Sequence, residues 1–344
     1  MTARHAADNG PGDGGPAPPP VGQRGEWVGI AANAGSGRGR GQAEVSRLVH
    51  ELRRLGLGSR VAWTPDERST MVAGTADDPC CRCLVAVGGD GTVGALVNDR
   101  PRVPITVLPA GTENLFARHF RLGRDPAKLA ATIAAGRAAT IDVGVAPGRR
   151  FTLMAGFGFD ADVVTRHHSA RIGRGGVPRP THRAMYVDPV LRSSLGYRFP
   201  PITVRVTDPG REETLVGSTV FVFNLPRYAL GLPFAPTARG DDGLLDVVVF
   251  RDPGPFRALH YLWLVVRGLH LGRPGVEHRT VRRAVVTAAE RVPVQLDGDP
   301  GGFVDPGPGG GWTTEVLPGA VDVLVPARFA GAEAVRVVTG ASGR

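Results

Sequence analysis

Asp90 is enclosed by glycine, because Leu84-Val85-Ala86-Val87 runs straight into Gly88-Gly89-Asp90-Gly91-Thr92. An apolar run of this length ending in glycine predicts a buried strand closed by a tight turn. Glycines let backbone N–H groups approach a bulky anion, and a helix opening near Thr92 aims its N-terminus at the same place. Strand, glycine turn and helix N-terminus together make a phosphate cradle. A carboxylate inside such a cradle repels phosphate unless it faces a cation or accepts a proton. Asp90 therefore calls for one of those two roles.

Three further turns share this character. Trp27–Ala32 reads as a strand that breaks into Asn33-Ala34-Gly35-Ser36-Gly37-Arg38-Gly39-Arg40-Gly41, and Val61-Ala62-Trp63 ends at Thr64-Pro65. Val103–Leu108 ends in Pro109-Ala110-Gly111-Thr112-Glu113-Asn114, followed by Phe116-Ala117-Arg118. Between the turns, Val45, Leu48, Val49, Leu52 and Leu55 recur at helical spacing, and further helices are predicted through Met71, around Gly94–Asn98 and over 126–136. Strands alternating with helices predict a doubly wound parallel α/β sheet. Loops at the carboxyl ends of such strands gather along one crevice. The turns at 33–41, 64–65, 88–92 and 109–114 thus converge, a nucleotide-site signal that no single turn carries.

Beyond residue 140 the pattern changes. Ile141–Val145, Phe151–Phe157, Ile202–Thr207, Thr219–Asn224, Leu245–Phe250, Val281–Thr287, Pro293–Leu296 and Val321–Val325 read as strands separated mostly by turns. That favours a mainly antiparallel β-sandwich. The expected organisation is a disordered tail over 1–26, a nucleotide-binding domain over 27–140 and a β-rich domain over 141–326. A C-terminal segment over 327–344 is expected to pack back on the first domain. Gly301–Gly311 reads as a Gly/Pro loop. Arg166–Arg198 carries seven arginines, His167, His168, His182 and a single acid, Asp188, which suits a solvated face or anionic lipid headgroups. Phe256, Leu259, Leu262, Trp263, Val266 and Leu269 form a helical stripe expected to be core, although Trp263 and Tyr261 would suit an interface.

Composition narrows the chemistry. At 344 residues the chain suits two domains, and its net charge of +9 points to anionic partners. Lys128 is the only lysine, so a Gly-Lys-Ser/Thr phosphate loop is excluded. Any nucleotide must be held by backbone amides, hydroxyls and arginines. Cys80, Cys81 and Cys83 form one cluster with no second ligand pair, a poor zinc site that reads as small residues entering a strand. Free thiols, no apolar run of membrane-spanning length and no apolar signal core give a cytoplasmic expectation. Net charge alone, without a reader motif, does not support nucleic-acid binding.

Taken together, Asn33–Gly37, Gly88–Thr92, Pro109–Asn114 with Phe116–Arg118, Asp142-Val143-Gly144, Gly156-Phe157-Gly158-Phe159-Asp160, Asp242–Asp246 and Leu296–Asp299 resemble the diacylglycerol kinase catalytic-domain family, which includes bacterial lipid kinases and sphingosine kinases. The resemblance covers Trp27 to Pro326. It implies an NAD-kinase-like α/β domain followed by a β-sandwich, with the site between them. It further implies that ATP is held by Asn33, Ala34, Gly35, Ser36, Gly37, Thr64, Gly88, Gly89, Asp90, Gly91, Thr92, Val93, Thr112 and Asn114, with Arg118 near the phosphates. Asp90 would serve the Mg²⁺–ATP or the acceptor hydroxyl. A Mg²⁺ site would take carbonyl oxygens of Arg239 and Leu244 and the carboxylate of Asp242. Asp299 stands where the family carries a glutamate proposed as base, and is one methylene shorter. Gly94 replaces a frequent Asn, and Leu115 an Asp of some bacterial members.

The implied activity is ATP-dependent phosphorylation of diacylglycerol or a related long-chain alcohol, by an enzyme peripherally associated with an anionic membrane surface. Two alternatives stay open: an NAD kinase, which shares the Gly-Gly-Asp-Gly turn, and a catalytically silent lipid- or nucleotide-binding regulator. A dehydrogenase is weaker, because Gly156–Ala161 imitates a dinucleotide fingerprint within the β-rich half. Oligomeric state is not encoded legibly.

Overall fold

The computed structural model describes residues 25–32, 41–171, 187–208, 211–331 and 333–338. The Asn33–Gly37 turn, the tail over 1–24 and residues 172–186 of the arginine-rich insertion lie outside the described residues. Strand β1 (Trp27–Ala32) is buried throughout and pairs in parallel with β2 (Gly58–Ala62) and β3 (Cys81–Gly88); β3 pairs in parallel with β4 (Ile105–Pro109). Such near-continuous apolar strands need cover on both faces. Helix α1 (Gly41–Arg54) contributes Val45, Leu48 and Leu52 to that cover. Helix α2 (Pro65–Gly74) starts with a capping box, in which the Thr64 hydroxyl accepts from Glu67 N–H and the Glu67 carboxylate accepts from Thr64 N–H. Helices α3 (Asp90–Asn98), α4 (Leu115–His119) and α5 (Pro126–Ala135) complete the first domain.

The second domain is a sandwich. Strand β5 (Arg137–Ala146) leads through β6 (Arg149–Phe151) and β7 (Met154–Gly158) to helices α6 (Phe159–Arg171) and α7 (Val187–Gly196). Strands β8 (Ile202–Asp208), β9 (Arg211–Gly217), β10 (Thr219–Phe223) and β11 (Leu245–Phe250) follow, then helix α8 (Pro255–Val266). Strands β12 (Val276–Val281), β13 (Arg283–Ala288), β14 (Val292–Leu296), β15 (Asp299–Val304), β16 (Trp312–Leu324) and β17 (Val335–Val337) close the chain. One sheet, ordered β12-β11-β10-β7-β14-β15, is antiparallel throughout. The other continues from the parallel β2-β1-β3-β4 set into antiparallel β16-β13-β8-β9, with β5 and β17 alongside. A core including Phe157, Val204, Val247, Val294 and Trp312 lies between the two sheets.

Strand β16 belongs to both domains. Its first part pairs with β13 (Glu315 opposite Arg283), and its last part pairs with β5 and touches β4 at Val323–Ile105. Between Leu317 and Val321 the register slips, and there the Asp142 carboxylate accepts from Gly319 N–H and Gly243 N–H, both at 2.7 Å. The chain after Pro326 lies on the first domain: Phe329 stacks 5.6 Å from Phe120, His119 Nε2 meets Glu333, and β17 pairs with β5.

Four expectations need correction. Phe151–Phe157 is not one strand, because the N–H groups of Thr152, Leu153 and Met154 turn toward the Asp297 carboxylate. Val281–Thr287 straddles β12 and β13, which lie in different sheets. Gly301–Val304 is strand, paired with Val292–Val294. Gly156–Ala161 passes directly from β7 into α6 with antiparallel neighbours on both sides of β7, in keeping with the expected lack of a dinucleotide-binding setting. The α8 stripe is not core: its apolar face is largely exposed, whereas Tyr261 is buried. Among the described residues no helix is long and apolar enough to cross a membrane.

Candidate active site

The cradle is built by close backbone approach. A Cβ on Gly88 would stand 2.1 Å from Thr92 Oγ1, and one on Gly111 would stand 2.5 Å from Gly89 Cα. Only glycine lets the ends of β3 and β4 meet this tightly. Asn114, at φ 50°, closes the second turn by accepting from Gly111 N–H (2.9 Å) and donating to Gly111 O (2.7 Å). Asp90 then ties the two turns together. Its carboxylate accepts from Leu115 N–H (3.0 Å) and Phe116 N–H (2.9 Å), the first donors of α4. Burial pushes the Asp90 carboxyl upward, the two N–H donors oppose this, and the charges of Asp297 and Glu113 add to the rise.

Gly89 caps α3 without any side-chain acceptor, so the first N–H groups of the helix have no side-chain partner from the cap. That helix start, with exposed Gly91 and Thr112 beside it, is chemically an anion site. Val93 is buried beneath it. Arg118 is exposed and reaches the second domain, where its guanidinium stands 3.0 Å from where a Cβ on Gly231 would be. Thr64 is committed to the cap of α2 at the end of β2.

Facing this edge is the β14–β15 hairpin. Asp297, buried and at φ 52°, accepts from Thr152 N–H (2.8 Å) and Oγ1–H (3.0 Å), Leu153 N–H (2.7 Å) and Met154 N–H (3.0 Å). Four donors on one carboxylate make the turn rigid. Asp299, two residues on, is half-open to solvent. Its Oδ2 lies 3.3 Å from Arg149 Nη2 and 3.6 Å from where a Cβ on Gly91 would be. Gln295 holds the hairpin by accepting from Gly298 N–H (2.8 Å), and donates to Asp160 Oδ2 (2.9 Å). Burial pushes Asp160 up to about 6, against hydrogen bonds from Gln295 and Tyr228.

The structure thus brings together Gly88–Val93, Gly111–Asn114, Asp90 and Asp299. It does not bring Arg239, Asp242 and Leu244 to this cleft. Asp242 borders a separate cavity of about 720 Å³, lined also by Asp142, Asp241, Arg282 and Glu315 among others. There Asp242 Oδ1 accepts from Leu244 N–H (3.0 Å), while exposed Arg239 pairs with Asp241. Burial raises the Asp242 carboxyl, and the Asp246 and Asp142 charges raise it further. The donors are oxygens in a surplus of negative charge, a set that fits a hard divalent cation. Among the described residues no three His, Cys, Asp or Glu side chains converge as a metal centre. Arg149, Gln295 and Tyr228 carried no sequence signal, because each acts across the fold on a residue far from it in the chain.

Residues 28–146 match the family model described as the diacylglycerol kinase catalytic domain, and residues 154–325 match that of the YegS C-terminal NAD kinase beta sandwich-like domain. The chain belongs to the diacylglycerol kinase catalytic-domain family. Among diacylglycerol kinase relatives, a "Probable lipid kinase YegS-like" protein of Pseudomonas aeruginosa (strain UCBPP-PA14) is 30% identical over 277 residues, 76% of this chain and 84% of that protein. A protein named diacylglycerol kinase from Staphylococcus carnosus (strain TM300) is 27% identical over 229 residues, 64% of this chain and 70% of its own length. The solved structure of a diacylglycerol kinase from Bacillus anthracis str. Sterne superposes with a TM-score of 0.62 at 18% identity, covering 89% of this chain and 98% of that one. That likeness is one of fold. Membership makes the chain a lipid-kinase homologue.

Proposed function

We propose that this protein transfers the γ-phosphate of ATP to the hydroxyl of diacylglycerol or a related long-chain alcohol at an anionic membrane surface. The observation that carries the reading is the opposition of Asp299 to the Gly91 turn across the cleft, a carboxylate facing an anion cradle. Phosphoryl transfer asks mainly for positioning and charge neutralisation. The N–H groups of Gly89–Gly91 hold phosphate oxygens, with Thr112 on the neighbouring turn, while Asn114 braces that turn through Gly111 and Arg118 of α4 is turned toward Gly231. The Asn33–Gly37 turn, which the family resemblance assigns to ATP, follows β1 in the sequence and lies outside the described residues.

Asp299 accepts the proton of the attacking hydroxyl, and Asp90 positions the cradle. The division follows from their partners: both Asp90 oxygens are taken by backbone N–H groups, whereas Asp299 is open on one side and held by Arg149 on the other. Asp242 with the carbonyls of Arg239 and Leu244 would hold Mg²⁺, which there supplies neutralisation of the acidic turn. The deciding experiment is transfer of γ-labelled phosphate from ATP to a panel of diacylglycerol, sphingosine, ceramide and NAD. Label in the organic phase supports the reading, and label on NAD alone replaces it with the NAD kinase alternative.

A further inference from the structure

Helix α8 has two unlike faces. Tyr261, Leu264 and Val265 are buried, the Tyr261 ring lying 4.8 Å from Phe250 and its hydroxyl donating to Asp252 Oδ2 at 2.8 Å. The other face is apolar and open to water: Phe256 is 87% exposed, Leu259 65%, Val266 55% and Trp263 51%. With Leu262 these positions fall within about 120° of helical arc. Water-soluble surfaces seldom carry a contiguous apolar strip led by a nearly naked phenylalanine unless something covers it.

Charge says what covers it. Residues 251–275 hold four arginines against one acid, Asp252; Arg251 lies 3.5 Å from Glu277 and Arg257 3.8 Å from Asp252, which leaves Arg267 and Arg273 without an ion pair among the described residues. Arg267 lies with its guanidinium carbon 5.6 Å from the Trp263 ring centroid and has no acidic partner among the described residues. The His260 ring stacks on the same Trp263 at 6.1 Å. An apolar strip with tryptophan near its border and Arg267 at its rim matches the boundary between headgroups and acyl chains. A second copy of this chain, docked face to face about a two-fold axis, would bring that basic rim against itself.

We propose that α8 is the membrane-docking helix, seating Phe256, Leu259, Trp263 and Val266 in the acyl boundary of an anionic bilayer while Arg267 meets headgroup phosphates. This rests on the lipid-kinase reading only in that the membrane is where the acceptor resides. The helix is stiffly joined to the cleft. Behind Tyr261, the rings of Phe250, Phe221 and Phe234 follow at 4.8, 6.0 and 5.2 Å, and Phe234 lies 6.0 Å from Tyr228, whose hydroxyl bonds Asp160.

The test compares the wild-type chain with the double variant Phe256→Ser/Trp263→Ser, both substitutions lying on exposed side chains. Flotation with phosphatidylglycerol/phosphatidylcholine vesicles should show at least tenfold weaker binding of the variant, with unchanged thermal unfolding. Phosphorylation of a detergent-dispersed short-chain diacylglycerol should also be unchanged. Wild-type binding should fall at least fivefold on pure phosphatidylcholine, since each arginine near an anionic surface contributes about a fivefold gain in partition at low salt. Undiminished vesicle binding by the variant overturns the proposal, as does a wild-type chain that phosphorylates lipid without binding vesicles. Loss of self-association in sedimentation with vesicle binding retained assigns the face to a second copy and also overturns it. If the variant loses vesicle binding but neither protein phosphorylates any lipid, the docking helix stands and the kinase reading falls.

Discussion

Asp299 Oδ2 faces Gly91 across the cleft, 3.6 Å from where a Cβ on that glycine would stand. A proton acceptor at this place should be dispensable for folding and indispensable for transfer. Asp299→Asn is expected to lower single-turnover phosphorylation of diacylglycerol by about 10²–10⁴-fold. Its unfolding midpoint should barely move, because the side chain is 40% exposed. Asp299→Glu should remain active, since the longer arm still reaches the same edge. A wild-type rate in Asp299→Asn would reassign the base.

Gly89 and Gly111 abut backbone to backbone, and a methyl group at Gly111 has no room. Gly111→Ala should cost about 1–3 kcal/mol by calorimetric unfolding. It should also weaken ATP binding at least tenfold by titration, because the shift is absorbed in the cradle. Gly74→Ala, which meets open space at the end of α2, is the neutral control.

Asp90→Ala strips Leu115 and Phe116 N–H of their acceptor. Unmade bonds of this kind cost about 1–3 kcal/mol each, so denaturant unfolding should show a loss of about 2–6 kcal/mol. Asp90→Asn keeps one acceptor oxygen and should lose about half as much. Full stability in Asp90→Ala with turnover abolished would show that Asp90 reacts rather than positions.

Asp160 carries a pH signature. Burial raises its folded value to about 6, above the ordinary aspartate value near 4. Between these values the folded chain keeps a proton that the unfolded chain has released, so stability falls as pH rises from about 4 to 6. Asp160→Asn should flatten that decline by roughly 1–3 kcal/mol, read from urea midpoints across the window. An unaltered slope in the variant would place the titration elsewhere.

Much of the cleft was legible because its parts are local. Leu84–Gly88 running into a glycine turn, and Val61–Trp63 ending at Thr64-Pro65, announce a strand end and a helix start from adjacent residues alone. What could not be read depends on distance. Phe151–Phe157 has the apolar content of one strand and is broken by Asp297, more than 140 residues away in sequence. Strand β9, Arg-Glu-Glu-Thr-Leu-Val-Gly, has too much charge to read as a strand and is tolerated at a sheet edge beside β8. The glycines of β15 are held in the ladder by β14. Helical spacing in α8 told which side chains share a face; only the packing of Tyr261 against Phe250 told which face is inside.

The slipped stretch of β16 has a mechanical meaning. One strand is laced into both domains, so a hydrogen-bonded ladder, not a free linker, joins them. Bending must concentrate at Pro318–Ala320, where the ladder lacks partners, and Asp142 clasps that joint through Gly319 while also holding Gly243.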